Sequence, residues 1–191
     1  MKSSIRLLFV IALSLLSLSC GQSEWRPMEV SEGGFRVLMR GQPNVTRQQF
    51  DTPAGKMTAF LYSSDRPLSY YAVGYTDYPL ALVVGKDPYE VFEGVRNTWV
   101  RRIGGRRVGS DGKLTLSGKY QGLEFTAEGD SKGTEAVMQA RLFLVDQRLY
   151  QVIAMGRKNA VPQGEINRFL NSFALVPTSE VGTLQITPPA K

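Results

Sequence analysis

The sequence predicts an α+β fold, an antiparallel β-sheet flanked by helices, and three observations carry that reading. Several segments alternate apolar and polar side chains with period two, as strands with one covered face do. Two others repeat apolar residues at helical spacing. The stretch Val137 to Met155 reads as a hairpin with apolar residues on both faces, which suits a central strand pair covered on two sides. With 191 residues, 42% hydrophobic and 21% charged, the chain has the composition of one ordinary globular domain behind an export signal.

The first 19 residues read as that signal. Lys2 and Arg6 give a basic start and Leu7 to Leu18 an apolar run, about half the ~20 residues that a membrane span needs. It ends in Ser17-Leu18-Ser19-Cys20-Gly21. This string resembles a bacterial lipobox, in which the cysteine thiol takes a diacylglyceryl group and becomes the new N-terminus. Ser17 and Ser19 also fit ordinary secretory cleavage. Both export the protein, and acylation accounts for the one cysteine lying at the cleavage point. Gly21, where aspartate would retain a lipoprotein in the inner membrane, favours the outer membrane if the cell has one. Residues 20–33 then read as a tether with room for one edge strand.

From residue 34 the domain begins. Phe35, Val37 and Met39 form one face of a strand; Met57, Ala59 and Leu61 form another, and Leu123, Phe125 and Ala127 a third. A helix is predicted from Pro88, with Val91, Phe92, Val95, Trp99 and Ile103 on one stripe, Glu90 and Glu93 near its start, Arg101 and Arg102 at its end and Gly104-Gly105 as the stop. Pro162 opens a second helix with Ile166, Phe169, Leu170 and Phe173 inward. Residues 177–191 hold three prolines and no apolar period, a flexible tail.

Gly34-Phe35-Arg36-Val37-Leu38-Met39-Arg40-Gly41-Gln42-Pro43, Asp51-Thr52-Pro53-Ala54-Gly55, Tyr75-Thr76-Asp77-Tyr78-Pro79, Gly104-Gly105, the Arg141-to-Tyr150 hairpin and Phe169-Leu170-Asn171-Ser172-Phe173 resemble exported bacterial domains of the PsbP-like superfamily, whose namesake is an extrinsic subunit of photosystem II. The likeness spans residues 34–176. It implies an α/β/α sandwich and an accessory, assembly or binding role without catalysis.

Composition excludes much chemistry by itself. Histidine is absent and cysteine occurs once, so histidine triads, histidine-ligated metals and disulfide frameworks are unavailable. No G-x-x-x-x-G-K-[ST] loop occurs, no cofactor or metal is implied, and no catalytic residue is assigned. The formal charge is +6; once Lys2 and Arg6 leave, 21 cations face 17 acids, a balance of +4. That permits attraction to an acidic envelope protein or polymer but does not suggest nucleic acid.

Two surfaces remain as candidates. Arg96, Arg101, Arg102, Arg106 and Arg107, opposed locally only by Asp111, form a cationic run suited to carboxylates or phosphates; otherwise they complement a helix end and are solvated. Tyr71 and Tyr75 share a strand face beside Asp77, an aromatic face for a sugar, peptide or cation, unless they pack between sheet and helix. The expected function is an envelope-anchored, non-catalytic binding or accessory module. Alternatives are a hydrolase with a carboxylate or tyrosine site, and a passive structural lipoprotein. If Cys20 is the anchor, the intact mass of the mature protein corresponds to a start at Cys20 plus lipid, and Cys20→Ala releases or misprocesses it; a free thiol in the mature form excludes acylation.

Overall fold

The computed structural model describes residues 25–53, 55–130 and 133–176. The signal segment, Cys20 with the first part of the tether, and the tail lie outside them. The elements run β1 (Trp25–Val30), β2 (Phe35–Arg40), β3 (Asn44–Thr52), β4 (Gly55–Asp65), β5 (Ser69–Asp77), a 3-10 turn (Leu80–Leu82), α1 (Pro88–Arg102), β6 (Arg106–Leu116), β7 (Tyr120–Asp130), β8 (Glu135–Val145), β9 (Arg148–Arg157), α2 (Gln163–Ser172) and β10 (Ala174–Leu175).

Seven strands form one antiparallel sheet in the order β3-β4-β5-β9-β8-β7-β6, and β1-β2-β10 form a second, smaller one. The hairpin β8–β9 lies centrally, so its two apolar faces are both used. One face carries Tyr71, Val73, Tyr75, Val152 and Ala154 beneath Phe35, Val37 and Met39 of β2 and Ile166, Phe169 and Leu170 of α2. The opposite face carries Leu123, Phe125, Met138, Leu142 and Ile153 beneath Phe92 of α1 and Ile103.

The fold is therefore α+β but sheet-dominated, with 58% of the described residues in strands. The expected sandwich needs a correction on one side. There the cover is the small sheet together with α2, because residues 25–30, expected to include an edge strand, pair along β2 from Trp25↔Arg40 to Val30↔Phe35. Trp25 packs edge-on to Tyr71 at 4.9 Å, so this part of the tether belongs to the fold.

Local chemistry sets the helices. Asp87 caps α1 by accepting from the Tyr89 N–H at 3.0 Å, with Pro88 following it. Beyond Ile103 the chain turns through Gly104 at φ 56°. Pro162, the predicted opening, serves α2 as the N-cap, so the helix itself starts one position later, at Gln163. The Arg40 guanidinium bonds Glu165 at 2.6 Å, and the Leu38 N–H donates to Ser172 Oγ at 2.9 Å; both tie α2 to β2.

Helix α1 lies over β6, β7 and β8, with β7 taking most of the contact. It leaves the β3–β5 end of that face without a helix. Phe169 is fully buried where α2, Trp25 and Tyr71 meet. Phe169→Ala is expected to lower the unfolding free energy by about 3–5 kcal/mol, read as a shifted urea midpoint at unchanged slope.

Candidate functional site

Tyr71 and Tyr75 share a face, but that face is the core, which corrects the expected aromatic surface. They are 0% and 2% exposed. Phe60 stacks on Tyr75 at 4.8 Å, and Phe169 lies 5.2 Å from Tyr71. The physical reason is the small sheet, which covers this side of β5 and displaces water from both rings. Asp77 is taken by a bidentate pair with Arg148, at 2.6 and 2.7 Å. Arg148 also lies over the Tyr75 ring at 4.7 Å and donates to the Glu32 carbonyl at 3.0 Å. The hydrogen bond to Asp77 raises the Arg148 pKa further.

The arginine run divides into three settings. Arg96 is largely buried and bonds Asp111 and Glu93, while Arg107 reaches Asp111 at 2.9 Å. Arg106 pairs with Glu128 at 3.4 Å. Arg101 and Arg102 are exposed at the end of α1; Arg101 bonds Thr98 Oγ1, and Arg102 stacks over Trp99 at 5.2 Å. Neither has a carboxylate partner among the described residues. The sequence count missed Glu128 because β6–β7 pairing, not proximity along the chain, brings it opposite Arg106.

A groove of about 780 Å³ lies where α1 stops covering the sheet. Its floor comes from alternate residues of four strands: Thr46, Gln48 and Phe50 of β3, Ala59, Leu61 and Ser63 of β4, Tyr70, Gly74 and Thr76 of β5, and Gln151 of β9. Its wall is one face of α1, with Glu90, Val91, Gly94, Val95, Thr98, Trp99 and Arg102. Leu82, Lys86 and Tyr78 border the end near the start of α1. The Trp99 indole N–H donates to Gln151 Oε1 at 2.6 Å, fixing the seam between wall and floor.

The groove is open because its residues are small where they face one another. A Cβ built on Gly94 meets nothing within 4 Å. Hydroxyls and amides line the floor, Phe50, Phe60, Tyr70, Tyr78 and Trp99 add aromatic surface, and Arg102 and Lys86 outnumber the one carboxylate, Glu90. Such a mixture orients a ligand by hydrogen bonds within a partly apolar cleft. Burial raises the pKa of Tyr70 and Tyr78, with Ser63 and Arg102 opposing it at Tyr70. Both phenols therefore present a proton at neutral pH. Sequence reasoning singled out the Arg102 wall residue but missed the groove. The signal was there in Ala59, Ser63, Gly74 and Thr76, small residues on the face where β8, beyond the intervening β9, carries Met138 and Leu142.

No family model matches the chain, and no curated protein matches it. Similar solved structures include LpqN of Mycobacterium tuberculosis, involved in cell envelope biogenesis, at TM-score 0.45 and 13% identity over 80% of this chain and 79% of that one. Another is PA94 of Pseudomonas aeruginosa, a protein of unknown function, at TM-score 0.40 and 8% identity over 75% of this chain and 90% of that one. At these scores the likeness carries no functional argument.

Burial raises the phenol pKa of Tyr62, Tyr70, Tyr71, Tyr75, Tyr78 and Tyr150 from the ordinary 10.0. The native state holds these protons while an unfolded chain loses them near 10.0. Their contribution to stability is thus present below that pH and lost as pH rises through the folded values. Absorbance titration should show most tyrosines ionising above 10.0, with stability falling over the same range; ordinary titration of all eight would restore an exposed aromatic face.

Proposed function

We propose that this chain is an envelope-anchored, non-catalytic binding module that holds its ligand in the groove between α1 and the β3–β5 part of the large sheet. The observation that carries this reading is the groove itself: a cleft of ligand size with polar side chains converging from five elements. The signal segment and Cys20 support export and anchoring, and the motif resemblance to PsbP-like domains supports an accessory role. The envelope role of LpqN is compatible with this reading, which does not rest on it.

The lining supports binding over hydrolysis. Glu90 is the one carboxylate there, whereas the usual carboxylate mechanism uses a facing pair. Arg101 and Arg102, without carboxylate partners among the described residues, give the Arg102 end an affinity for anionic groups. The earlier cationic surface thus contracts to two side chains, one of them at the groove.

Gly94→Trp tests the site, because the new ring enters open space from an exposed helix face. The variant is expected to melt within a few degrees of the parent, replacing glycine having favoured the helix by about 0.5–1 kcal/mol. It should lose at least about tenfold in capture of the native envelope ligand, a loss of about 1.4 kcal/mol in binding. Undiminished capture by the folded variant places binding elsewhere, and turnover of a bound envelope molecule reverses the non-catalytic reading.

A further inference from the structure

The two edges of the large sheet are built differently. At β6 the register with β7 shifts between Val108 and Gly112, and the strand carries Arg106, Arg107, Asp111 and Lys113. A bulge and clustered charges are how an edge strand resists further pairing. At β3 there is neither. Its nine residues pair with β4 in unbroken register from Asn44↔Ser63 to Thr52↔Gly55. The strand contains no proline, glycine or lysine, and its outer edge pairs with no strand among the described residues. Asn44 to Asp51 are all exposed, including the apolar Val45 at 54% and Phe50 at 38%.

The charges on β3 select an occupant for that edge. There are two, Arg47 and Asp51, opposite in sign and four residues apart. They therefore point to the same side of the sheet. An antiparallel copy of β3 paired about a two-fold axis through Gln49 puts Arg47 directly opposite the partner's Asp51, and Asp51 opposite the partner's Arg47. Thr46 then faces the partner's Thr52, and Gln48 faces the partner's Phe50. Centring on Gln48 would match Arg47 with the partner's Gln49, and centring on Arg47 would oppose two arginines. Only the axis through Gln49 places both opposite charges face to face.

The neighbouring rows extend the match. Lys56 on β4 lies opposite Asp51 and bonds it at 3.0 Å, while the Arg47 guanidinium lies over the Phe60 ring at 5.4 Å. Across the axis the row reads Lys56, Asp51, the partner's Arg47 and the partner's Phe60, with the two cations flanking the carboxylate. Directly opposite side chains in such a pair have Cβ atoms about 4.5–5.5 Å apart, close enough for each ion pair to form.

We propose that β3 is a self-association edge: two copies of this chain pair antiparallel through Thr46 to Thr52, with two reciprocal Arg47–Asp51 ion pairs. The interface is isologous, as a two-fold dimer requires. The axis stands perpendicular to the sheet, so both large sheets become one and their grooves open on the same side. Phe50 of each copy loses solvent where the groove rims meet. This inference is independent of what the groove binds.

Sedimentation equilibrium of the purified full chain in detergent, over a range of concentrations, tests it. The parent is expected to show a monomer–dimer equilibrium weakened by salt. Arg47→Asp and Asp51→Arg should each raise the dimer Kd at least about tenfold by setting like charges face to face. The double swap R47D/D51R should restore the parent Kd, and an equimolar mixture of the two single variants should form a heterodimer. A chain that stays monomeric throughout overturns the proposal, as does a dimer indifferent to the single reversals or one that the swap fails to restore. Since each charge is exposed and contributes little to folding, unchanged melting of all variants keeps the comparison valid.

Discussion

Hairpin β8–β9 is apolar on both faces, and that one constraint organises the molecule. A strand pair of this kind is stable only with an apolar cover on each side. On one side the chain supplies a hairpin, a ten-residue helix and a two-residue strand, with aromatic rings interlocked from Trp25 to Phe173. On the other it supplies a single helix. Seven strands spaced ~4.8 Å apart span roughly 29 Å, whereas one helix is about 10–12 Å across. A lone helix must leave part of such a face bare, and the bare part tolerates water because most of its side chains, Phe50 and Leu61 apart, are small or polar. The groove is thus the remainder of an unequal covering.

The same inequality explains the behaviour of charge. Where β6, β7 and α1 crowd together, arginines are drawn into pairs with Asp111, Glu93 and Glu128, and Arg96 becomes largely buried. Where the helix ends and the sheet emerges, Arg101 and Arg102 pair with no carboxylate among the described residues. Along β7 and β8, Glu124 finds Arg141 across the ladder at 2.6 Å. Of the predicted cationic run, Arg96, Arg106 and Arg107 are therefore neutralised in pairs, and Arg102 is left at the mouth of the cleft.

Strands and helices were legible where one side chain type recurred with a fixed period. Phe35, Val37 and Met39 announced β2, and Val91, Phe92, Val95 and Trp99 announced α1, because burial on one face imposes that spacing whatever the partner is. The double-sided hairpin even disclosed its central place. What the pattern could not disclose was which cover lay above which strand. Tyr71 and Tyr75 have the same spacing whether a second sheet covers them or water does, and only the pairing of residues 25–30 with β2 decides between the two. Ion partners such as Glu128 were hidden for a related reason, since strand register and not sequence distance makes them neighbours. The cleft was the least legible feature, being defined by what Gly74, Gly94 and Thr98 fail to fill.

Trp25, seated in the aromatic cluster as the first residue of β1, has a mechanical consequence for a chain acylated at Cys20. Trp25 lies five residues after that cysteine, and five residues of even a fully extended chain reach at most about 18 Å. The lipid would then act as a short leash instead of a long arm. Such a domain could tumble against the bilayer but not patrol the space beyond it, so its working volume is a thin shell over the membrane, and anything it receives or passes on must come within that shell.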